Sequence, residues 1–291
     1  MAESNLTRTW KTCSNSMKLF EKKDDYIECK LCPHHCQLQS GDAGKCSVRK
    51  CDGDTIFLSN YGELVSIAIN PIEKKPFRKY LTDTKTLSIG GIGCSLDCKF
   101  CENHVISQGE KHPHCKTFSA EDIVSIAVEK HCKSVCMTFN EPTIAYEYLM
   151  DVANACHESS LKFIIKTNAY VNKEPWSEIC KLTDAMNIDW KGCESRYKDV
   201  TGAEDFVILD RIKEAYKAGV HLEISIPLYD FVLEDIKYLS KLLSSLDKDM
   251  PCHLLKVNPS YQFSERPPTD PSISKQAKEI MLLHMNNIFM E

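Results

Sequence analysis

The sequence predicts an α/β protein whose parallel sheet is either open or curled into a partial barrel, with a small cysteine-rich segment in front of it. Two observations support this fold class. From about residue 84 onwards, six β-rich runs alternate with amphipathic helical stretches, and such alternation is typical of parallel strands joined by crossover helices. Before that point, cysteines cluster in a stretch that is too short to bury a core of its own.

The six predicted strands share β-branched and apolar residues. They are TKTLSIGG (84–91), SVCMTF (134–139), KFIIKTN (162–168), AMNIDW (185–190), HLEISIPL (221–228) and CHLLKVN (252–258). Helices are predicted between them over residues 119–131, 142–159, 174–182, 204–219 and 232–246, with Ser119 as one N-cap and Gly219 ending another helix. Because parallel strands bring their carboxyl ends to one rim, functional residues are expected there.

Three regions are predicted along the chain. Residues 1–25 form a polar segment, residues 26–80 a cysteine-rich module with a hairpin, and residues 81–291 the partial barrel. The hairpin is predicted from two β-rich runs around Tyr61 and Gly62, within DTIFLSNYGELVSIAINP (54–71).

Composition excludes several classes of function. The net charge is −5 and no sustained basic stripe is present, so neither nucleic acid nor a membrane is predicted as a partner. No run approaches the ~18 apolar residues of a membrane span, and MAESNLTRTWKTC lacks the apolar core of a signal peptide. We therefore predict a cytoplasmic protein. In a reducing compartment, sixteen cysteines indicate metal ligation and suggest an anaerobic host.

The strongest motif is a set of three cysteines directly after the first core strand. Cys94, Cys98 and Cys101 have the spacing C-x3-C-x2-C within IGGIGCSLDCKFCEN. Thiolates at this density suit an iron–sulfur cluster, and three ligands leave one iron with an exchangeable position. A zinc loop with a fourth ligand such as His104 is the alternative. Zinc knuckles do not usually follow the core strand of a βα unit, which makes this alternative weaker.

These three cysteines resemble the signature of the radical S-adenosylmethionine (SAM) superfamily. The resemblance implies a [4Fe–4S] cluster whose open iron binds SAM through its amino and carboxylate groups, with Phe100 beside the adenine. It also implies that Asn140, Glu141 and Pro142 replace a Gly-Gly-Glu-like segment that holds the methionyl amino group. Glu141 could equally be an acid that complements a helix N-terminus.

The ends of the next strands resemble glycyl-radical activating enzymes of the pyruvate formate-lyase activator type. On that resemblance, the contacts to SAM or an accessory cation come from Thr167, Asn168, Asp189 and Lys191. Asp189 and Lys191 are two positions apart and point the same way, so a structural ion pair is the alternative. Glu223 and Ser225 are weaker candidates for the same cavity.

A closer resemblance joins the motifs of both regions. The segments CKLCPHHCQLQSGDAGKCSVR (29–49), NPIEKKPF (70–77), FNEPTI (139–144) and RYKDVTGA (196–203) occur in the order found in AmmeMemoRadiSam-system radical SAM enzymes, which are related to the pyruvate formate-lyase activating enzyme. Two departures affect the substrate pocket. After the third cysteine this chain has Glu102, Asn103 and His104, where the family usually has Gln-Asn-Trp. Ala169 stands where the family usually has a glycine.

A second cysteine set lies in the N-terminal module. Cys29, Cys32, Cys36 and Cys46 have the spacing C-x2-C-x3-C-x9-C, which suits zinc or an auxiliary [4Fe–4S] cluster. Spacing does not separate these two, although the compact segment favours zinc slightly.

The functional expectation is reductive cleavage of SAM to a 5′-deoxyadenosyl radical that abstracts hydrogen from an unidentified small molecule or peptide. A glycyl-radical activating enzyme is the first alternative. A non-catalytic zinc- or cluster-binding interaction protein is the second. The expected partners are a reductant such as flavodoxin or ferredoxin and an unknown small-molecule, peptide or protein substrate.

Overall fold

The computed structural model describes residues 19–109, 115–204, 206–229 and 233–291, so most of the predicted polar segment lies outside the described residues. The N-terminal module begins with a small antiparallel sheet of β1 (Phe20–Lys22), β2 (Ile27–Cys29) and β3 (Gln37–Leu38). A hairpin of β4 (Arg49–Asp52) and β5 (Thr55–Leu58) follows it.

The main sheet contains seven parallel strands and one antiparallel edge strand. In chain order the remaining strands are β6 (Glu63–Leu64), β7 (Ser66–Pro71), β8 (Lys85–Gly90), β9 (Lys116–Thr117), β10 (Ser134–Met137), β11 (Lys162–Thr167), β12 (Ala185–Asp189), β13 (His221–Leu228), β14 (Cys252–Lys256) and β15 (Ile288–Met290). The order across the main sheet is β15-β14-β13-β12-β11-β10-β8-β7. The predicted fold class and all six predicted strands are confirmed.

The helices follow the predicted alternation. They are α1 (His104–Ser107), α2 (Ala120–Glu129), α3 (Tyr146–Glu158), α4 (Lys173–Leu182), α5 (Glu194–Thr201), α6 (Ile208–Lys217), α7 (Leu233–Leu246) and α8 (Pro271–Leu282). Ser119 caps α2 as predicted, because its hydroxyl accepts from the backbone N–H of Asp122 while Asp122 accepts from that of Ser119. None of the described helices combines the length and the apolar character that crossing a membrane requires.

The predicted hairpin over residues 54–71 is wrong. Its first run, β5, pairs with β4, while its second run, β7, pairs antiparallel with β8, where Ile67 lies opposite Ile89. The strand β8 has β10 on one side only, so its other edge needs hydrogen-bonding partners, and β7 supplies them. The sheet therefore begins at residue 66, and the three predicted regions stay a proposal about domain boundaries.

The two faces of the sheet are covered differently. Helices pack on one face, where Leu87, Met137 and Ile165 belong to the main core. On the opposite, concave face, Cys136 and Ile164 pack against Ile72 and Phe77. The segment 72–83 leaves the edge strand β7 and crosses this concave face, so the chain itself covers the lower part of the sheet interior.

This crossing segment is held by buried polar groups of the opposite strands. Asn187 on β12 donates to the carbonyl of Pro76 at 2.7 Å. Glu223 on β13 accepts from the backbone N–H groups of Arg78 and Lys79 at 2.9 Å each. The segment thus connects the edge strand β7 with the interior strands β12 and β13 across the concave face of the sheet.

We predict different costs for alanine at two glycines with similar backbone geometry. Gly93 has φ +88°, and a Cβ there would lie 2.4 Å from the carbonyl oxygen of Cys46 and 2.9 Å from Val48. Gly219 has φ +81°, and its Cβ would meet open space. Gly219→Ala should lower the free energy of unfolding by about 1 kcal/mol through backbone strain alone. Gly93→Ala should cost about 1–3 kcal/mol more, because the contact with the N-terminal module must open.

Urea unfolding of both variants beside the wild type measures this difference. Equal losses at the two positions would show that the packing of Cys46 and Val48 on Gly93 does not contribute to stability.

Candidate functional site

The loop that carries the three cysteines is anchored at its start by Asn140. This side chain accepts from the backbone N–H of Gly91 at 3.0 Å and donates to the carbonyls of Ile92 and Gly93 at 3.1 and 3.0 Å. Asn140 follows β10, the neighbour of β8, so the ends of two adjacent strands fix the backbone that leads into Cys94. Asn140 thus lies at the predicted rim, where it positions the loop.

The second half of the loop is anchored by α5. The backbone N–H groups of Asp97 and Lys99 donate to the carbonyls of Thr201 and Val200 at 2.8 and 2.9 Å. Ser260 donates to the carbonyl of Cys101 at 3.0 Å. The motif RYKDVTGA (196–203) therefore includes the carboxyl end of a helix that holds the cysteine loop, a role that its sequence does not reveal.

The three thiols lie together at this rim in an environment that disfavours free charge. Cys98 is buried, and Cys94 and Cys101 are half-buried. Burial raises the pKa of Cys98 to about 12, although the Lys191 ammonium acts in the opposite direction. Burial also raises the pKa of Cys94 far above its ordinary value. A bound cationic iron centre would supply the positive charge that thiolates need here, so the donor set fits a cluster.

The arrangement differs from a single-ion site. Within the described ranges, no three His, Cys, Asp or Glu side chains lie close enough together to hold one metal ion. A [4Fe–4S] cluster would be held by these three thiolates without their meeting at one metal ion, so the arrangement is compatible with it. Backbone and amide donors already point at Cys94, since the N–H of Leu96 lies 3.4 Å and Nδ2 of Asn168 3.6 Å from its sulfur.

Glu141 joins the ends of β10 and β11 beneath this loop. It is only 2% exposed, and its carboxylate accepts from Oγ1 of Thr167 at 2.6 Å, from the backbone N–H of Asn168 at 2.8 Å and from the N–H and hydroxyl of Thr143 at 3.0 and 2.8 Å. Burial raises its pKa despite these donors. The predicted helix N-terminal role is present, because Glu141 is the N-cap of a short 3-10 turn that starts at Pro142.

Asn168 connects this carboxylate to the cysteine loop. Its Nδ2 lies 3.3 Å from Oγ of Ser95, and its Oδ1 accepts from the N–H of Tyr170 at 2.8 Å. The next residue, Ala169, has φ +54°. This left-handed conformation explains why a glycine is usual at this position. Thr167 and Asn168 therefore lie beside the three-cysteine loop, and their contact with SAM stays a prediction.

Asp189 and Lys191 form at the end of β12 the ion pair that was the alternative to a contact with SAM, and both also act on the charge of Cys98. Their charged atoms are 2.8 Å apart, and Lys166 binds the other oxygen of Asp189 at 2.5 Å. Burial opposes ionisation of Asp189, yet Lys166 and Lys191 lower its pKa to about 2. The charge of Lys191 acts on Cys98 as well, so the pair lies between the sheet interior and the cysteine loop.

Lys166 is a site residue that the sequence analysis missed. It also donates to Asn187 at 2.7 Å and to Ser225 at 3.2 Å, and Ser225 donates to Asn187 at 2.6 Å. Ser225 therefore belongs to the polar network at the predicted cavity. The available signal was a lysine inside an otherwise apolar parallel strand, FIIKT, where both faces are normally buried.

Glu223 is not brought to this network. Besides the two N–H groups of the crossing segment, it accepts from His253 at 2.6 Å and from His221 at 3.1 Å. Burial opposes its ionisation, but these hydrogen bonds lower its pKa to about 2. Both oxygens are thus engaged in closing the lower end of the barrel, which gives Glu223 a structural role.

Phe100 lies in an aromatic group that the sequence analysis found only in part. Its ring stacks on Tyr229 with centroids 5.1 Å apart, and Phe263 lies 6.3 Å away. The hydroxyl of Tyr229 donates to the carbonyl of Lys191. An aromatic wall beside the cysteine loop is the surface that the predicted adenine contact of Phe100 needs.

The N-terminal cysteines gather beside this site. The N–H of Cys29 donates to the carbonyl of Cys36 at 2.9 Å, and the N–H of Lys45 lies 3.4 Å from the Cys36 sulfur. Burial raises the pKa of Cys29, Cys32 and Cys46. Among the described residues, no three Cys, His, Asp or Glu side chains lie close enough together to bind one zinc ion. The zinc form of this quartet is therefore not confirmed, and its metal stays a prediction.

The module contacts the cluster loop directly. Nε2 of His34 donates to the carbonyl of Ser95 at 2.6 Å, between Cys94 and Cys98. The carbonyl of Cys46 packs on Gly93, the residue before Cys94. The cysteine-rich module therefore supports the loop from outside the barrel.

Comparison with known proteins agrees with this geometry. The sequence model of the Radical SAM superfamily matches residues 88–243, and the chain belongs to this superfamily. It is 31% identical over 270 residues to the uncharacterized protein MJ0808 of Methanocaldococcus jannaschii, which covers 90% of this chain and 80% of that protein. The predicted radical SAM enzyme, with a [4Fe–4S] cluster and SAM as cofactors, is confirmed.

More distant relatives match parts of the chain. A 4-hydroxyphenylacetate decarboxylase activating enzyme of Clostridioides difficile is 24% identical over 164 residues, 51% of this chain and 52% of that enzyme. SuiB of Streptococcus suis, solved with SAM, superposes with a TM-score of 0.55 at 20% identity, covering 69% of this chain and 48% of SuiB. The chain thus spans about half the length of these two proteins, and the likeness to SuiB shows the fold alone.

We predict that Cys94, Cys98 and Cys101 hold one [4Fe–4S] cluster. Replacing all three by Ala should remove about four iron and four sulfide per chain after anaerobic reconstitution, because these thiolates are the protein ligands of the cluster. Iron and acid-labile sulfide analysis measures the loss. Cys156→Ala is the matched control, since Cys156 is a fully buried thiol within α3. Unchanged iron and sulfide in the triple variant would place the cluster elsewhere.

Proposed function

We propose that this enzyme cleaves SAM reductively and uses the resulting radical to abstract hydrogen from a substrate held in the concave face of the sheet. The observation that supports this most directly is the convergence of Asn140, Asn168 and Lys191 on the loop of the three cysteines. These residues follow three successive strands of the parallel sheet, and each contacts the loop or acts on its thiols.

When bound, the cluster and SAM supply the electron transfer and the 5′-deoxyadenosyl radical. The chain's own residues bind, orient and shield these groups. Asn140 fixes the backbone before Cys94, and the ammonium of Lys191 lowers the cost of negative charge on Cys98. The Phe100 ring offers a flat apolar surface for an adenine, and burial of the rim excludes water.

The methionyl end of SAM would lie near Glu141 and Lys191. Glu141 has accepted four hydrogen bonds already, so it acts on an ammonium through its charge and through the backbone that it fixes. The charge of Lys191 acts on both Cys98 and Cys94, so this cation suits the SAM carboxylate. These assignments of Thr167, Asn168, Asp189 and Lys191 to SAM are part of the proposal.

The substrate is proposed to be a small molecule or a peptide. SuiB has also been solved with its precursor peptide SuiA, which supports a peptide as one candidate. Activation of a glycyl-radical enzyme is the second candidate, and the relative from Clostridioides difficile supports it. The proposed electron donor is a flavodoxin or ferredoxin, in an anaerobic cytoplasm.

The N-terminal quartet is proposed to hold a separate metal centre that SAM does not reach. Four sulfur ligands would complete the shell of zinc or of a cubane and leave no open position. Support comes from the position of Cys32, which interacts electrostatically with Cys29, Cys36 and Cys46. Loss of metal from a Cys32→Ala variant, with the core iron retained, is the expected result. Full metal content in that variant would contradict the assignment.

We predict that Lys191→Met lowers the rate of SAM cleavage at least tenfold. The variant removes the cation that faces Cys98 and leaves Asp189 with one partner. The measurement is the formation of 5′-deoxyadenosine and methionine by reconstituted enzyme with dithionite as reductant. Lys198→Met is the matched control, because Lys198 is exposed and pairs with Glu204 at the surface. Wild-type enzyme that carries a full cluster and forms no 5′-deoxyadenosine would refute the proposed function.

A further inference from the structure

The segment NPIEKKPF (70–77) places a buried lysine on the concave face of the sheet. Lys75 directly follows the 3-10 turn Ile72–Lys74, and its backbone N–H donates to the carbonyl of Ile72 at 2.8 Å. The residue is only 6% exposed, and its Nζ lies 4.1 Å from the ring centroid of Phe139. A lysine that is buried to this degree is normally paired with an anion.

No carboxylate in the described part of the chain pairs with Lys75. Burial lowers the pKa of Lys75, and the ammoniums of Lys166 and Lys74 act in the same direction. The neighbouring thiol of Cys136 carries no charge at neutral pH, because burial raises its pKa to about 12. The Phe139 ring contributes a cation–π contact, which is weaker than an ion pair with a carboxylate in a desolvated place. The ammonium is therefore a buried cation whose charge the described residues do not balance.

The neighbouring groups increase this imbalance. Lys166 and Lys191 share the single carboxylate of Asp189, at 2.5 and 2.8 Å. The buried carboxylates of Glu223 and Glu141 have other partners: Glu223 is engaged by His221, His253 and the crossing segment, and Glu141 by Thr143, Thr167 and Asn168. Three ammoniums thus face the upper interior with one carboxylate between them, and the interior carries excess positive charge.

An unused hydroxyl lies on the same face. Ser88 on β8 is fully buried, and its Oγ has no hydrogen-bond partner among the described residues. In the sheet register Ser88 is opposite Cys136, which lies within electrostatic range of Lys75. A buried donor without a partner costs about 1–3 kcal/mol, so both groups favour an additional hydrogen-bond acceptor on the concave face.

This place is close to the cysteine loop. Phe139, whose ring contacts Lys75, directly precedes Asn140, which binds the backbone that leads to Cys94. A Cβ on Gly90 would lie 2.9 Å from Cδ2 of Phe139, so the ring packs on the end of β8. A ligand held by Lys75 would therefore lie on the substrate side of the rim.

We propose that Lys75 binds an anionic group of the substrate, a carboxylate or a phosphate, and that it selects an acidic substrate for this enzyme. The inference rests on the proposed function and adds the chemical class of its substrate. Lys191 is the better partner for the SAM carboxylate, because its charge acts on Cys98 and Cys94, whereas the Lys75 ammonium lies over the Phe139 ring on the concave face.

Anion binding by the cluster-reconstituted enzyme, without reductant and without SAM, tests the proposal. The probes are inorganic phosphate and acetate, each compared with chloride at equal ionic strength, and the readout is the thermal unfolding midpoint. At least one probe should raise the midpoint of the wild type and of Lys74→Met, whose lysine is adjacent but exposed. Lys75→Met should bind that probe at least tenfold more weakly. Phosphate alone would identify a phosphate-type ligand, and acetate a carboxylate.

A second measurement needs no variant. Reductive methylation followed by mass spectrometry gives the reactivity of each lysine, and the effective probe should slow the modification of Lys75 and leave that of Lys74 unchanged. Without any probe, Lys75→Met should unfold no earlier than the wild type, since it removes an unbalanced buried charge.

Three results would overturn the proposal. The first is that the wild type and Lys75→Met bind each probe equally well and that neither probe protects Lys75 from methylation. The second is an unfolding midpoint of Lys75→Met well below that of the wild type, which would make the charge structural. The third is a loss of S-adenosylhomocysteine binding by Lys75→Met that is as large as its loss of probe binding, which would assign Lys75 to the cofactor. None of these measurements uses the formation of 5′-deoxyadenosine. A failure of the proposed reaction can therefore be distinguished from a failure of the proposed anion site.

Discussion

The buried carboxylate of Glu141 is the contact on which the geometry of this site depends. It accepts hydrogen bonds from Thr143 and from the end of β11, and so joins two neighbouring strands at the rim. The residue before it, Asn140, fixes the entry to the cysteine loop, and the residue that it binds, Asn168, reaches the sulfur of Cys94. A single buried acid therefore sets the positions of the groups around the cluster.

The sequence was sufficient to predict the elements that depend on local patterns. The six parallel strands, the Ser119 cap and the rim positions of Asn140, Thr167 and Asp189 all follow from hydrophobic periodicity and from the geometry of parallel sheets. The pairing of β7 did not follow, because a strand's partner is decided by which sheet edge is open, and that edge belongs to β8, fourteen residues further along the chain. The edge strand β15 was not predicted for the same reason, since it pairs with β14 at the other open edge of the sheet.

Side-chain roles within the interior were less predictable. Glu223 and Ser225 lie two positions apart on β13 and face the same side, yet Ser225 joins the network of Lys166 while Glu223 binds the crossing segment. The difference arises from residues 72–83, which fill the lower interior and are distant in sequence. Lys166, Tyr229 and the end of α5 were missed because their partners come from other strands and loops.

The surroundings of the cysteine loop divide into supports and a substrate side. Outside the barrel, His34 and the carbonyl of Cys46 hold the loop. Inside, the ammoniums of Lys75, Lys166 and Lys191 lie at the upper end of the sheet, where Asp189 pairs with the last two. The cysteine-rich module thus holds the loop from outside the barrel, whereas the polar groups of the sheet interior approach it from the other side.

The central claim is that the three-cysteine cluster keeps one iron open to SAM. Electron paramagnetic resonance of the dithionite-reduced enzyme, with and without SAM, tests this most directly. The account predicts a [4Fe–4S]⁺ signal whose g-values shift when SAM is added, in the wild type and in Cys32→Ala. A signal that SAM leaves unchanged, from enzyme with a full core cluster, would contradict it.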